Sequence, residues 1–149
     1  MAKYRSIDPE YIPQIIKEYG YWTLSIHDDQ RYLGRSYLWL VREGGMQRLS
    51  ELTADEYAEL KMIMTEYEAA LKALWNPDHM NYSWLGNLIA EHGGHGHMHL
   101  IPRYKEDRVL RDITFNDGRW GKNCSPHEPY KIEQPVLFEI RDALKQKLS

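Results

Sequence analysis

Three histidines alternate with other residues in the segment Glu91-His92-Gly93-Gly94-His95-Gly96-His97-Met98-His99-Leu100-Ile101-Pro102-Arg103, which carries four of the chain's seven histidines. On an extended strand successive side chains point to opposite faces, so His95, His97 and His99 share one face, spaced roughly 6.6–6.8 Å along the chain. Gly96, Met98 and Leu100 fall on the other face, where a packed layer suits them. A purely structural role would require a separate hydrogen-bond partner for each buried imidazole, and each one left unsatisfied costs about 1–3 kcal/mol. Two chemistries fit the spacing. A neutral imidazole is a good nucleophile toward phosphorus, and at an ordinary pKa of about 6.5 roughly three-quarters of it is neutral at pH 7. A central histidine could attack a phosphate while its neighbours donate hydrogen bonds to the phosphoryl oxygens. Alternatively, three imidazoles could hold zinc with an open fourth position. Spacing leaves both open; the lack of a carboxylate-rich second motif leans toward the nucleophile.

The elements that must position this segment are legible from pattern. Asp8-Pro9 reads as an N-cap acid followed by Pro at the first helical position, predicting a helix with Tyr11, Ile15 and Ile16 on one side and Gly20 as its stop. Residues 21–27 and 35–42 read as strands joined through the turn at Asp28-Asp29-Gln30, an antiparallel pair that Gly44-Gly45 ends. Thr53-Ala54-Asp55-Glu56 is a capping box. Behind it Tyr57, Leu60, Met64, Tyr67, Leu71 and Leu74 recur at helical spacing up to Trp75-Asn76-Pro77, a pattern that packing alone explains. Residues 81–88 and 95–101 read as two further strands, the second closed by Pro102. Residues 103–134 are turn-rich, and Pro135 opens a last helix with Leu137, Ile140, Leu144 and Leu148 on one stripe. The fold class is α+β, a mainly antiparallel sheet with helices gathered on one side.

Composition bounds the rest. A chain of 149 residues suits one domain, 1–149, and 42% apolar with 28% charged residues is the balance of a globular protein. A net charge of −3 offers no global positive field, so no nucleic-acid partner is expected. The single cysteine, Cys124, excludes an internal disulfide and a CxxC zinc knuckle. The start of the chain, from Met1 to Asp8, lacks the apolar core of a secretory signal, and no stretch nears the roughly 18 apolar residues of a membrane span; a cytoplasmic location is the expectation. Five Trp and eleven Tyr suit a core, and also stacking on nucleobases.

The chain resembles the histidine triad superfamily of nucleotide hydrolases and transferases, whose signature is His-x-His-x-His followed by two apolar residues. His95-Gly96-His97-Met98-His99-Leu100-Ile101 meets it. Ile101-Pro102-Arg103-Tyr104 is similar to the continuation in the diadenosine polyphosphate hydrolase branch, and Asn81-Tyr82-Ser83-Trp84-Leu85-Gly86-Asn87 looks like the strand before the triad. The likeness covers residues 21–104 well and the ends loosely. It implies a five-stranded antiparallel sheet with a long central helix and a C-terminal helix, usually a homodimer. It implies His97 as the nucleophile toward the α-phosphate of a nucleotide ester, anhydride or phosphoramidate, through a covalent nucleotidyl-imidazole. His95 and His99 would orient His97 and bind phosphate. No cofactor is required, although polyphosphate substrates arrive with magnesium.

The sequence departs from that pattern in places. Where many members have a fourth histidine after a glycine, Gly34 is followed by Arg35, which can grip a phosphate but cannot serve as a neutral imidazole. A second common histidine corresponds to Glu43, and the polar stretch before the triad is Ala90-Glu91-His92. These changes keep a nucleotide-binding sensor without turnover among the readings. Asn81, Asn87 and His92 are candidate nucleotide or phosphate contacts alongside Arg35. Trp84 and Trp120 are weighed as base-stacking residues against a core role. Arg103, Lys105 and Arg108 are weighed as a polyphosphate contact against a solvated loop. His27, His79 and His127 are read as incidental.

Overall fold

The computed structural model describes residues 9–42, 48–88 and 96–149. Expectations for the chain start, for Glu43, for Gly44-Gly45 and for residues 89–95, His92 and His95 among them, lie outside these. A 3-10 turn Pro9–Gln14 leads into β1 (Ile15–Glu18), followed by β2 (Trp22–Ile26), β3 (Ser36–Leu40), the long helix α1 (Ala54–Leu74), β4 (His79–Trp84), β5 (His97–Arg103), the small hairpin β6 (Arg108–Leu110) and β7 (Ile113–Phe115), and α2 (Gln134–Leu148). The main sheet has five antiparallel strands in the order β1-β2-β3-β5-β4. This is the α+β architecture expected.

The expected helix over residues 9–20 is wrong. Pro13 confines the N-terminal turn to a 3-10 form, and Ile15-Ile16, β-branched and poor in helices, instead pairs with β2 as the fifth strand. Ile16 is buried there. Pro102 does not close β5 but lies within it, opposite Met80. The β3 ladder stops at Leu100, so β5 has one unpaired side beyond that point, where a strand tolerates proline.

Both helices cover one face of the sheet. Thr53 accepts the Glu56 N–H and Glu56 reaches back to the Thr53 N–H, forming the capping box read from sequence. Leu60, Ile63, Tyr67, Ala70 and Leu71 of α1 and Leu137, Ile140, Leu144 and Leu148 of α2 are buried against Trp22, Leu24, Ile26, Leu38, Leu40, Met98 and Leu100. Each such side chain contributes on the order of 1.5–3 kcal/mol. Tyr57, placed on this stripe by its spacing, is exposed and donates its hydroxyl to the Leu49 carbonyl. Gly34, at φ +89°, lets the chain enter β3 beneath α1: a Cβ there would lie 2.8 Å from Leu71 Cδ2 and 3.1 Å from Trp75 Cζ3. Its carbonyl accepts the Tyr67 hydroxyl.

Candidate active site

With one face of the sheet taken by the helices, strand alternation sends the opposite residues to the other face, and the register sorts them into rows. Thr23 of β2 faces Trp39 of β3, which faces His97 of β5. The next row is Ser25, Tyr37, His99 and, on β4, Ser83. Beyond it Ile101 faces Asn81, with His27 and Arg35 at the ends of β2 and β3 joined by the His27 N–H to the Arg35 carbonyl. Trp39 donates its indole N–H to Ser25 Oγ at 3.3 Å, fixing the floor of this face.

His97 and His99 are half-buried, with ring centroids 5.3 Å apart and planes at 78°. Thus they share one face, as their spacing requires. His95, the third member, lies outside the described residues. The structure adds an imidazole that sequence reasoning passed over. The His27 ring lies 5.7 Å from His99 at 49°, and 6.0 Å edge-on from Tyr37. The signal was present: Thr23, Ser25 and His27 form a period-two polar series on the strand before the turn. Burial pushes the Tyr37 hydroxyl up to about 12, so it stays protonated and donates to Gln14 Oε1. Asp28, 3.3 Å from His27 Nδ1 and 3.4 Å from Lys131 Nζ, is held well below the usual carboxylate range, first by its hydrogen bond with His27 and then, against desolvation, by the charges of His27 and Lys131.

The turn after β2 and the end of β5 meet the segment between β7 and α2. Asp29 anchors it: its carboxylate accepts the Tyr130 N–H at 2.9 Å and meets His127 Nε2 at 2.7 Å. Burial pushes Asp29 up, but these bonds, the Arg31 N–H and the charge of Arg35 outweigh burial and keep its pKa low. Arg35 Nη1 lies 3.1 Å from Asp29 Oδ2; among the described residues its buried Nε has no hydrogen-bond partner. His127, read as incidental, is therefore part of the anchor and packs 5.3 Å from the Tyr32 ring.

Arg103 holds the segment from below. All its N–H donors are engaged: Nε and Nη2 with the two Asp117 oxygens at 2.7 and 2.9 Å, Nη1 with Asn81 Oδ1 and the Lys122 carbonyl, and Nη2 again with the Arg119 carbonyl. Arg103 is therefore neither a solvated loop residue nor an open basic one. Arg108 is likewise turned to the Trp75 and Asn76 carbonyls, while Lys105 lies 5.7 Å over the Trp120 ring. Trp84 packs edge-on against Trp22, and Trp120 stacks on exposed His79. Asn87 is exposed on the 3-10 turn Gly86–Leu88, beyond the His97 end of β4. His92 lies outside the described residues. Among the described residues no three histidine, cysteine or carboxylate side chains are grouped to hold a metal ion.

No protein-family model matches this sequence, and no curated protein is similar enough in sequence to match it. Solved structures do match. A histidine triad protein from Bradyrhizobium japonicum is 19% identical, with a TM-score of 0.73 over 99% of this chain and 100% of its own. One from Sinorhizobium meliloti is 17% identical at a TM-score of 0.72, covering 96% of each chain. One from Marinobacter aquaeolei is 17% identical at 0.70, covering 98% of this chain and 97% of its own. The chain has the fold of the histidine triad proteins, and His97 and His99 occupy one face of its β5.

Proposed function

We propose that this protein is a nucleotide hydrolase or nucleotidyl transferase that acts at an α-phosphate through His97, with a (di)nucleoside polyphosphate or a nucleoside phosphoramidate as substrate. The observation that carries the reading is the pair of half-buried imidazoles, 5.3 Å apart on the sheet face that the helices leave uncovered. Two such rings let one act as nucleophile while the other donates to a phosphoryl oxygen.

In the first step the lone pair of His97 forms a bond to the α-phosphorus as the bond to the leaving group breaks. The leaving group takes that electron pair and a proton from solvent, which the attacking water returns in the second step. In the second step water attacks the same phosphorus, the P–N bond breaks, and the imidazole and a nucleoside monophosphate are released; another acceptor in place of water makes the reaction a transfer. His99 would bind a phosphoryl oxygen, and His95 would complete the trio. Arg35 would offer its Nε–H to the same anion. Asn87 and His92 remain proposed nucleotide contacts. Asn81, whose Oδ1 is held by Arg103, would contribute through what remains of its amide. Magnesium would enter with a polyphosphate substrate. A cytoplasmic homodimer belongs to the same proposal; size-exclusion chromatography with light scattering measures the assembly.

The test is release of AMP from diadenosine polyphosphates with magnesium and from adenosine phosphoramidate. His97→Ala should lower turnover by roughly a thousandfold or more while leaving the fold intact, and quenching the wild type should trap a nucleotidylated chain. Normal turnover by that variant removes the nucleophile assignment. One zinc per chain with chelator-sensitive activity transfers the reading to a zinc hydrolase; nucleotide binding with no AMP released makes the protein a sensor.

A further inference from the structure

His27 has no part in the triad motif, yet its ring is within 6 Å of His99. The register places it one row from His99, on the side opposite His97, so His99 sits between the other two along the strand direction. Its Nδ1 has two neighbours in the turn that follows β2. The Asp29 N–H, 3.0 Å away, can only donate; the Asp28 carboxylate, 3.3 Å away, can only accept. The shorter contact favours a bare Nδ1 that accepts the Asp29 N–H, and a neutral ring with a bare Nδ1 must carry its hydrogen on Nε2. A charged ring meets Asp28 with an Nδ1–H and keeps the Nε2–H as well. With the Asp29 N–H accepted in this way, His27 is an Nε2–H donor beside His99. Arg35, which sits where the resemblance would put another imidazole, is drawn toward Asp29.

We infer that His27 is a positioning residue of this site: held through Nδ1 by the turn 28–29, it fixes the orientation of the His99 ring and thereby the phosphoryl group presented to His97. The inference rests on the reading given under Proposed function, but it makes a structural claim that can be read without turnover. The side chain is partly exposed, at 24%, so a substitution need not collapse the core.

Two measurements test it. Long-range 15N–1H correlation of the histidine rings should show neutral His27 as the Nε2–H tautomer, and His27→Ala should move the ring signals of His99 further than His27→Gln does. A neutral Nδ1–H tautomer, or His99 signals moved equally by the two substitutions, overturns the inference whether or not the protein proves to be an enzyme. In kinetics, His27→Ala should lower kcat on the order of 10- to 100-fold with KM little altered, as a mispositioned reacting group does. His27→Gln, which keeps a terminal N–H near the Nε2 position, should restore most of that loss. Equal loss in both variants, or a change confined to KM, overturns it. Loss of AMP release in His97→Ala tests the nucleophile alone, so the two claims fail separately.

Discussion

Replacing Asp117 with asparagine removes one charge from the pair that ties the segment between β7 and α2 to the end of β5. The Arg103 and Asp117 side chains are 4% and 2% exposed, and Asp117 accepts not only two guanidinium donors but also the Tyr104 N–H at 3.1 Å and the Arg119 N–H at 3.0 Å. Asparagine offers one oxygen and turns an NH2 toward a guanidinium that can only donate. Breaking a buried pair by removing one partner costs about 3–5 kcal/mol, because the remaining charge stays out of water. For a domain of this size each kcal/mol lowers Tm by about 2–4 °C, so the expected fall is about 6–20 °C. Differential scanning calorimetry measures it, and amide exchange should show the largest loss of protection over residues 117–124. The double variant Arg103→Met with Asp117→Leu should be less destabilised than the two single changes summed, since it leaves no unpaired charge. A fall of less than about 2 °C for Asp117→Asn would mean that the guanidinium finds water and that the segment between β7 and α2 is not held in this way.

Two further outcomes follow from the same structure. Gly34→Ala should destabilise the protein by at least about 1 kcal/mol in urea unfolding, since it combines a left-handed backbone with a Cβ 2.8 Å from Leu71; unchanged stability would show that Leu71 and Trp75 yield freely. Asp29, Glu56 and Asp117 all have lowered pKa values because hydrogen bonds and neighbouring arginines outweigh their burial. Their contribution is full above the unfolded carboxylate range near 4 and is lost as pH falls through the lower folded values. Stability should therefore drop on acidification below about pH 4, and less steeply in Asp117→Asn; identical acid profiles would exclude Asp117 from the effect.

Both helices were readable because helical periodicity is local. Leu60, Tyr67 and Leu71, and the stripe from Leu137 to Leu148, face the core as their spacing requires. Thr53 and Glu56 marked the start of α1 for the same reason, since a cap needs only four consecutive residues. The N-terminal strand was misread because Asp8-Pro9 is a helix start by local rule, while the pairing of Ile15 with Ser25 is decided by a partner ten positions away. The alternation of His97 and His99 was legible, and their common face followed from strand geometry.

What the sequence by itself determined is the pair of chemical groups on β5 and the apolar stripes that choose which side of the sheet is covered, because both depend on side-chain periods of two and 3.6 residues. Only the tertiary structure decided which other groups join them. His27 meets His99 across two strands, Asp29 meets His127 from 98 positions away, and Arg103 closes on Asp117 across a hairpin. Those meetings are set by strand register and by the path of the segment after β7, and contacts so distant along the chain leave no periodic trace in it.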